Sequence, residues 1–104
     1  WLYISGMTAS GESGDIVCPG DICGQTDYIL GRMGEILEAA ACTYDDVVKT
    51  TDFITTTEGY RGTGEVRKKY FKEPYPTATG VIVADLLRPG ALIEIEAVAK
   101  IPHK

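Results

Sequence analysis

The chain has 104 residues, a net charge of −5, 44% apolar residues and 24% charged ones. That length supports one domain, residues 1–104, with a modest core. The acidic balance argues against nucleic acid or an anionic membrane as a partner, because both need basic patches. No apolar run approaches the ~20 residues of a membrane span, and no signal-peptide pattern is read. Cys18, Cys23 and Cys42 are odd in number and lack CxxC spacing. They predict neither a disulfide framework nor a zinc site, and point to a reducing, cytoplasmic compartment. His103 is a tail histidine without partners for a metal.

In chain order, Trp1 to Ser5 reads as a strand that begins abruptly, which predicts further residues before Trp1. Gly6 to Asp15 is a Gly/Ser-rich loop, and Ile16 to Gly20 a short extended piece. Asp21 is the expected N-cap of a helix running to about Ala41. Its apolar stripe is Ile22, Thr26, Ile29, Leu30, Met33, Ile36, Leu37 and Ala40. Gly31 and Gly34 suit close packing on a sheet. Thr43 to Asp46 is a turn, and the β-branched run Val47 to Thr55 a strand. A second helix is expected from Glu58 to about Phe71, with Tyr60, Val66, Tyr70 and Phe71 inward and basic residues at its C-terminal end. Pro74 and Pro76 mark an extended linker.

Thr77 to Lys100 reads as two strands joined by the turn Leu86 to Gly90. In the second, Ile93, Ile95, Ala97 and Ala99 share one face, and Leu92, Glu94, Glu96 and Val98 the other. The first is a core face. The second sets two carboxylates among apolar neighbours, where a carboxylate takes a raised pKa and moves protons near neutral pH. The plainer alternative is that both are solvated or paired with lysines. Otherwise one of the two is expected to carry the raised pKa and the other to be ionised and paired, with Lys49 or Lys100 as candidate partners. The order strand, helix, strand, helix, strand, strand predicts an α+β fold, a mixed sheet with two helices on one face. The other, half-apolar face predicts self-association.

Six stretches together resemble the RidA/YjgF reactive-intermediate deaminase family. They are YISG (Tyr3–Gly6), QT (Gln25–Thr26), ILEAA (Ile36–Ala40), DVVKTTDFI (Asp46–Ile54), VRKKYF (Val66–Phe71) and RPGALIEIEAVA (Arg88–Ala99). The resemblance spans nearly the whole chain. It implies a chorismate-mutase-like α+β fold and a homotrimer with clefts between subunits. It also implies hydrolysis of small-molecule imines and enamines without metal or organic cofactor. Glu94 falls on the family's water-activating glutamate, and Ser5 and Gly6 fall at the cleft wall. The substrate-gripping arginine position holds Ala78, a position that is often asparagine is Gly64, and the SGQ motif is Ser5–Gly6–Met7. Two explanations of Ala78 are an introduced Arg→Ala exchange and a natural branch without the arginine. The departures at Gly64 and Met7 favour the branch. Without the guanidinium a substrate carboxylate loses a charge-assisted pair of roughly 1.5–3 kcal/mol, so an uncharged imine, enamine or amide-like substrate is expected. Arg67, Arg61 and Arg88 are candidate replacements, Arg67 foremost, and backbone amides near Gly80 or Gly6 are candidates to hold the substrate's polar end. Cys18 or Cys23 as a nucleophile stands against the plainer reading of idle thiols. The alternative function is a non-catalytic, metabolite-binding regulatory trimer. A ribonuclease is a third reading, disfavoured by the acidic charge and the lack of a basic or aromatic platform.

Overall fold

Four strands and two helices alternate in the predicted order in the computed structural model, which describes residues 1–102. They are β1 (Leu2–Met7), α1 (Ile22–Ala39), β2 (Val47–Ile54), α2 (Thr63–Arg67), β3 (Thr77–Ile82) and β4 (Ile93–Ala99). The sheet order is β1-β4-β2-β3. β4 runs antiparallel to both β1 and β2, while β3 joins β2 in parallel. β3 and β4, adjacent in sequence, are therefore not sheet neighbours, and the 86–90 turn is not a hairpin turn.

The alternation of β4 holds: Ile93, Ile95, Ala97 and Ala99 are buried, Leu92, Glu94 and Val98 half-buried, and Glu96 exposed. The core lies between this face and α1, whose Ile22, Ile29, Leu30, Met33 and Leu37 are buried. Asp21 caps α1, accepting from the Gly24 N–H at 2.9 Å. Ile36, expected inward, is 38% exposed. Gln25, near the helix start, is fully buried instead of being a polar surface residue. Gln25 accepts from the Leu92 N–H and donates to the Gly90 carbonyl, tying α1 to the entrance of β4. Gly34 makes room not for the sheet but for Tyr44, whose ring carbon Cζ would lie 3.1 Å from an added Cβ. The Tyr44 hydroxyl donates to the Leu30 carbonyl.

The second helix is much shorter than expected. A 3-10 turn at Tyr60–Gly62 leads into five α-helical residues, Thr63–Arg67. Gly59 adopts a left-handed φ of 75° before them, and Gly62 and Gly64 weaken helix propensity by up to ~1 kcal/mol each. Phe71 is nevertheless buried, and Tyr60, Val66 and Tyr70 half-buried, as predicted.

Candidate functional site

The predicted site residues fall into two clusters on opposite faces of the sheet. The first is on the face away from the helices. Glu94 projects there from β4, opposite Phe53 on β2. Gly6 lies beside it on β1, where the ladder slips register between Ile4 and Met7. A Cβ on Gly6 would stand 2.8 Å from the Glu94 carboxyl carbon, so the missing side chain is what lets the carboxylate lie over β1. Ser5 is exposed on the same strand. Glu96, two residues on, is exposed opposite Thr51. Among the described residues neither glutamate is in an ion pair. The predicted pairing with Lys49 or Lys100 is not formed: Lys100 Nζ instead sits 6.0 Å from the Trp1 ring centroid.

The second cluster is on the helix side, at the β2–β3 edge. Ladder partners share a face, and Thr50 pairs with Ala78 and Asp52 with Gly80. Thr50 and Asp52 are buried under α2. Ala78, Thr50, Gly64, Arg67, Phe71 and Tyr75 line a mostly apolar hollow of about 220 Å³. Arg67 thus does adjoin Ala78, but its guanidinium Nη2 is bound to Asp52 Oδ2. The same carboxylate oxygen accepts from the Tyr60 hydroxyl at 2.6 Å. Burial, then the bond to Asp52, pushes the Tyr60 hydroxyl up to about 12. That hydroxyl stands 2.8 Å from where a Gly80 Cβ would be. Gly80 therefore makes room for Tyr60.

Within one chain the structure does not bring Glu94 and Ala78 together. Arg61 and Arg88 are exposed and do not line the hollow at Ala78. Cys18 is exposed with a left-handed φ of 50°. Cys23 is half-buried, its thiol donating to the Gly59 carbonyl at 3.6 Å. Among the described residues no group of three or more His, Cys, Asp or Glu side chains is placed to hold a metal, and no helix is long and apolar enough to cross a membrane. His103 lies outside the described residues. Sequence reasoning missed Asp52 and Tyr60. An aspartate among β-branched residues, on the core phase of a strand, was the available signal.

The family model described as "Endoribonuclease L-PSP" matches residues 1–101. A human protein named 2-iminobutanoate/2-iminopropanoate deaminase is 38% identical over 98 residues, covering 94% of this chain and 71% of its own. A crystal structure of a member of the YjgF/YER057c/UK114 family from Mycobacterium tuberculosis is 36% identical, with a TM-score of 0.78 over 93% of this chain and 75% of that one. The E. coli TdcF structure with bound serine is 34% identical, with a TM-score of 0.80 over 93% of this chain and 77% of that one. Matched over nearly its whole length in sequence and in fold, the chain belongs to the RidA/YjgF family.

Proposed function

We propose that this protein is an imine or enamine deaminase, a hydrolase of small molecules. The observation that carries the reading is the Glu94 carboxylate, half-buried and laid over Gly6, on the strand that most resembles the family. The names of the deaminase relatives support the reaction class. Glu94 takes a proton from a water whose oxygen attacks the C=N carbon. Glu94 passes that proton to the imine nitrogen, giving a carbinolamine. Its hydroxyl proton is then transferred to the nitrogen as the C–N bond breaks, leaving a carbonyl compound and ammonia. Ser5 and Gly6 form the wall beside Glu94. The Ala78–Gly80 strand and Arg67 form the other wall.

Because these walls lie on opposite faces of one sheet, a single site containing both requires two copies of the chain. A homotrimer with clefts between subunits supplies that arrangement, in the cytoplasm. With Ala78 in place of an arginine, the substrate is an uncharged imine, enamine or amide-like compound. An endoribonuclease fits less well with a net charge of −5. A metabolite-binding trimer without turnover is the second reading, favoured by the bound serine in the TdcF neighbour. Ammonia release from a neutral and a carboxylated imine separates the two. Turnover that Glu94→Gln removes supports the enzyme, and tight binding without ammonia from either compound supports the regulator.

A further inference from the structure

The Asp52 carboxylate is 2% exposed, on the inner strand β2 of a small domain. Its Oδ2 holds two donors, the Tyr60 hydroxyl and the Arg67 guanidinium. Among the described residues its Oδ1 has no hydrogen-bond partner. A buried carboxylate with an unused oxygen is costly to keep unless it serves something nearby. What it serves is Arg67, whose side chain is 18% exposed and which lines the hollow next to Ala78. The other cation there, Lys68, is drawn to Glu65 at 3.4 Å. The cationic groups of the hollow are thus each matched by a carboxylate, and its remaining lining is largely apolar.

We infer that Asp52, through Arg67, sets the substrate specificity of this hollow: it admits an uncharged carbonyl or amide oxygen and rejects a carboxylate. The inference rests on the reading of the Ala78 strand as a wall of the small-molecule site. A guanidinium has five N–H donors, and the contact to Asp52 engages one of its nitrogens. The remaining donors suit a neutral acceptor. A carboxylate, in contrast, must shed its water to meet a cation already neutralised, with Asp52 behind it repelling the incoming charge. Tyr60 holds Asp52 from the other side and, with its hydroxyl pushed up to about 12, stays a donor across the working pH range. Gly80 completes the arrangement, since any side chain there would meet that hydroxyl. Asp52 is a positioning residue, not a catalytic one.

The test is equilibrium binding, followed by NMR or calorimetry, with pyruvamide as the neutral probe and pyruvate as the charged one. Wild type is expected to prefer pyruvamide by about tenfold or more, the scale of one charge-assisted contact. Asp52→Asn keeps the shape and removes the charge. It is expected to bind pyruvate about tenfold or more tighter than wild type does, a gain lost again when Arg67→Met is added. Wild-type preference for pyruvate, no binding of either probe at millimolar concentration, an unchanged preference in folded Asp52→Asn, or a gain that survives Arg67→Met overturns the inference. Should Asp52→Asn not fold, the wild-type preference decides alone. Because the readout is binding, failure of the deaminase chemistry at Glu94 would appear separately, as absent ammonia release with the binding preference intact.

Discussion

Gly6 and Glu94 occupy one space: the carboxylate of the second lies where the first would carry its side chain. Gly6→Ala is therefore expected to push Glu94 off β1 without disturbing the core, because Gly6 is exposed. Glu94→Gln sets the scale. Loss of a general base costs on the order of 10²–10⁴-fold in rate, and Gly6→Ala should lose part of that. Glu96→Gln should instead affect stability or assembly more than rate. Turnover and thermal midpoint for all three variants check this. An inactive Glu96→Gln beside an active Glu94→Gln would reverse the assignment.

Ala78→Arg is expected to raise turnover of carboxylated imines such as 2-iminopropanoate. Ala78 is exposed at the rim of the hollow, so a longer side chain has room to extend. The ladder partner of Ala78 is the neutral Thr50, while Asp52 pairs with Gly80 and is engaged by Arg67, so a guanidinium there is expected to be available for a bidentate clamp. An unchanged rate on the carboxylated substrate, in a folded protein, counts against the clamp argument.

Tyr60→Phe removes one of the two donors to buried Asp52. The expected destabilisation is about 1–3 kcal/mol, the cost of an under-satisfied buried polar group, read as a lower midpoint in denaturant. Gly80→Ala should move stability in the same direction, because the new methyl meets the Tyr60 hydroxyl.

Stability should fall off at both ends of the pH scale for different reasons. Asp27 accepts from Lys69 and from the Tyr70 hydroxyl, and these bonds, Lys69 first, hold its carboxyl below the ordinary 3.8. A depressed carboxyl contributes stability fully above its unfolded value and loses it as pH drops through the folded one. The loss thus begins near pH 3.8 and is small, up to about 1 kcal/mol, because the pair is largely solvated. Tyr60 is raised from 10.0 to about 12. Its contribution is complete below pH 10 and lost as pH climbs toward 12. Asp27→Asn should flatten the acid limb. Tyr60→Phe should lessen the alkaline one, leaving the slope from Tyr44 and Tyr70, which burial also raises.

The open face carries Tyr3 at 76% exposure, with Phe53, Val81 and Val98 half-buried or exposed around Glu94. Apolar surface of this kind favours association. Light scattering at micromolar concentration is expected to give three times the chain mass, and a monomer there would contradict the two-wall site.

The sequence displayed β4 and α1 because each has a clean period: alternate burial at Ile93, Ile95, Ala97 and Ala99, and the helical stripe from Ile22 to Leu37. The apolar phase of β4 drew attention to Glu94 and Glu96 alike, and only the family resemblance singled out Glu94. The pairing of β3 with β2 was not, since Thr77–Ile82 has no buried phase to assign. The length of α2 was misread because glycine-rich local geometry outweighed the aromatic positions. The Asp52–Arg67–Tyr60 group was hidden for another reason. It joins residues 8 and 15 positions apart through a turn whose conformation rests on Gly59. Arg67 was a candidate, with Arg61 and Arg88, to replace the missing arginine, but its engagement by Asp52 was not foreseen.

The edge strand has a further consequence. Among the described residues β3 is hydrogen-bonded to β2 alone, and all six of its residues are exposed. β4, with a neighbour on each side and four buried residues, is its opposite in the same sheet. Local opening costs least where few apolar contacts resist it. In a free chain the amides of Thr77–Ile82 should therefore exchange their hydrogens with solvent well before those of Ile93–Ala99. In the proposed two-wall site, the strand bearing Ala78 and Gly80 is then expected to open more readily than the strand bearing Glu94. Whatever settles against β3, whether ligand or a second copy, should register as slowed exchange in those six residues.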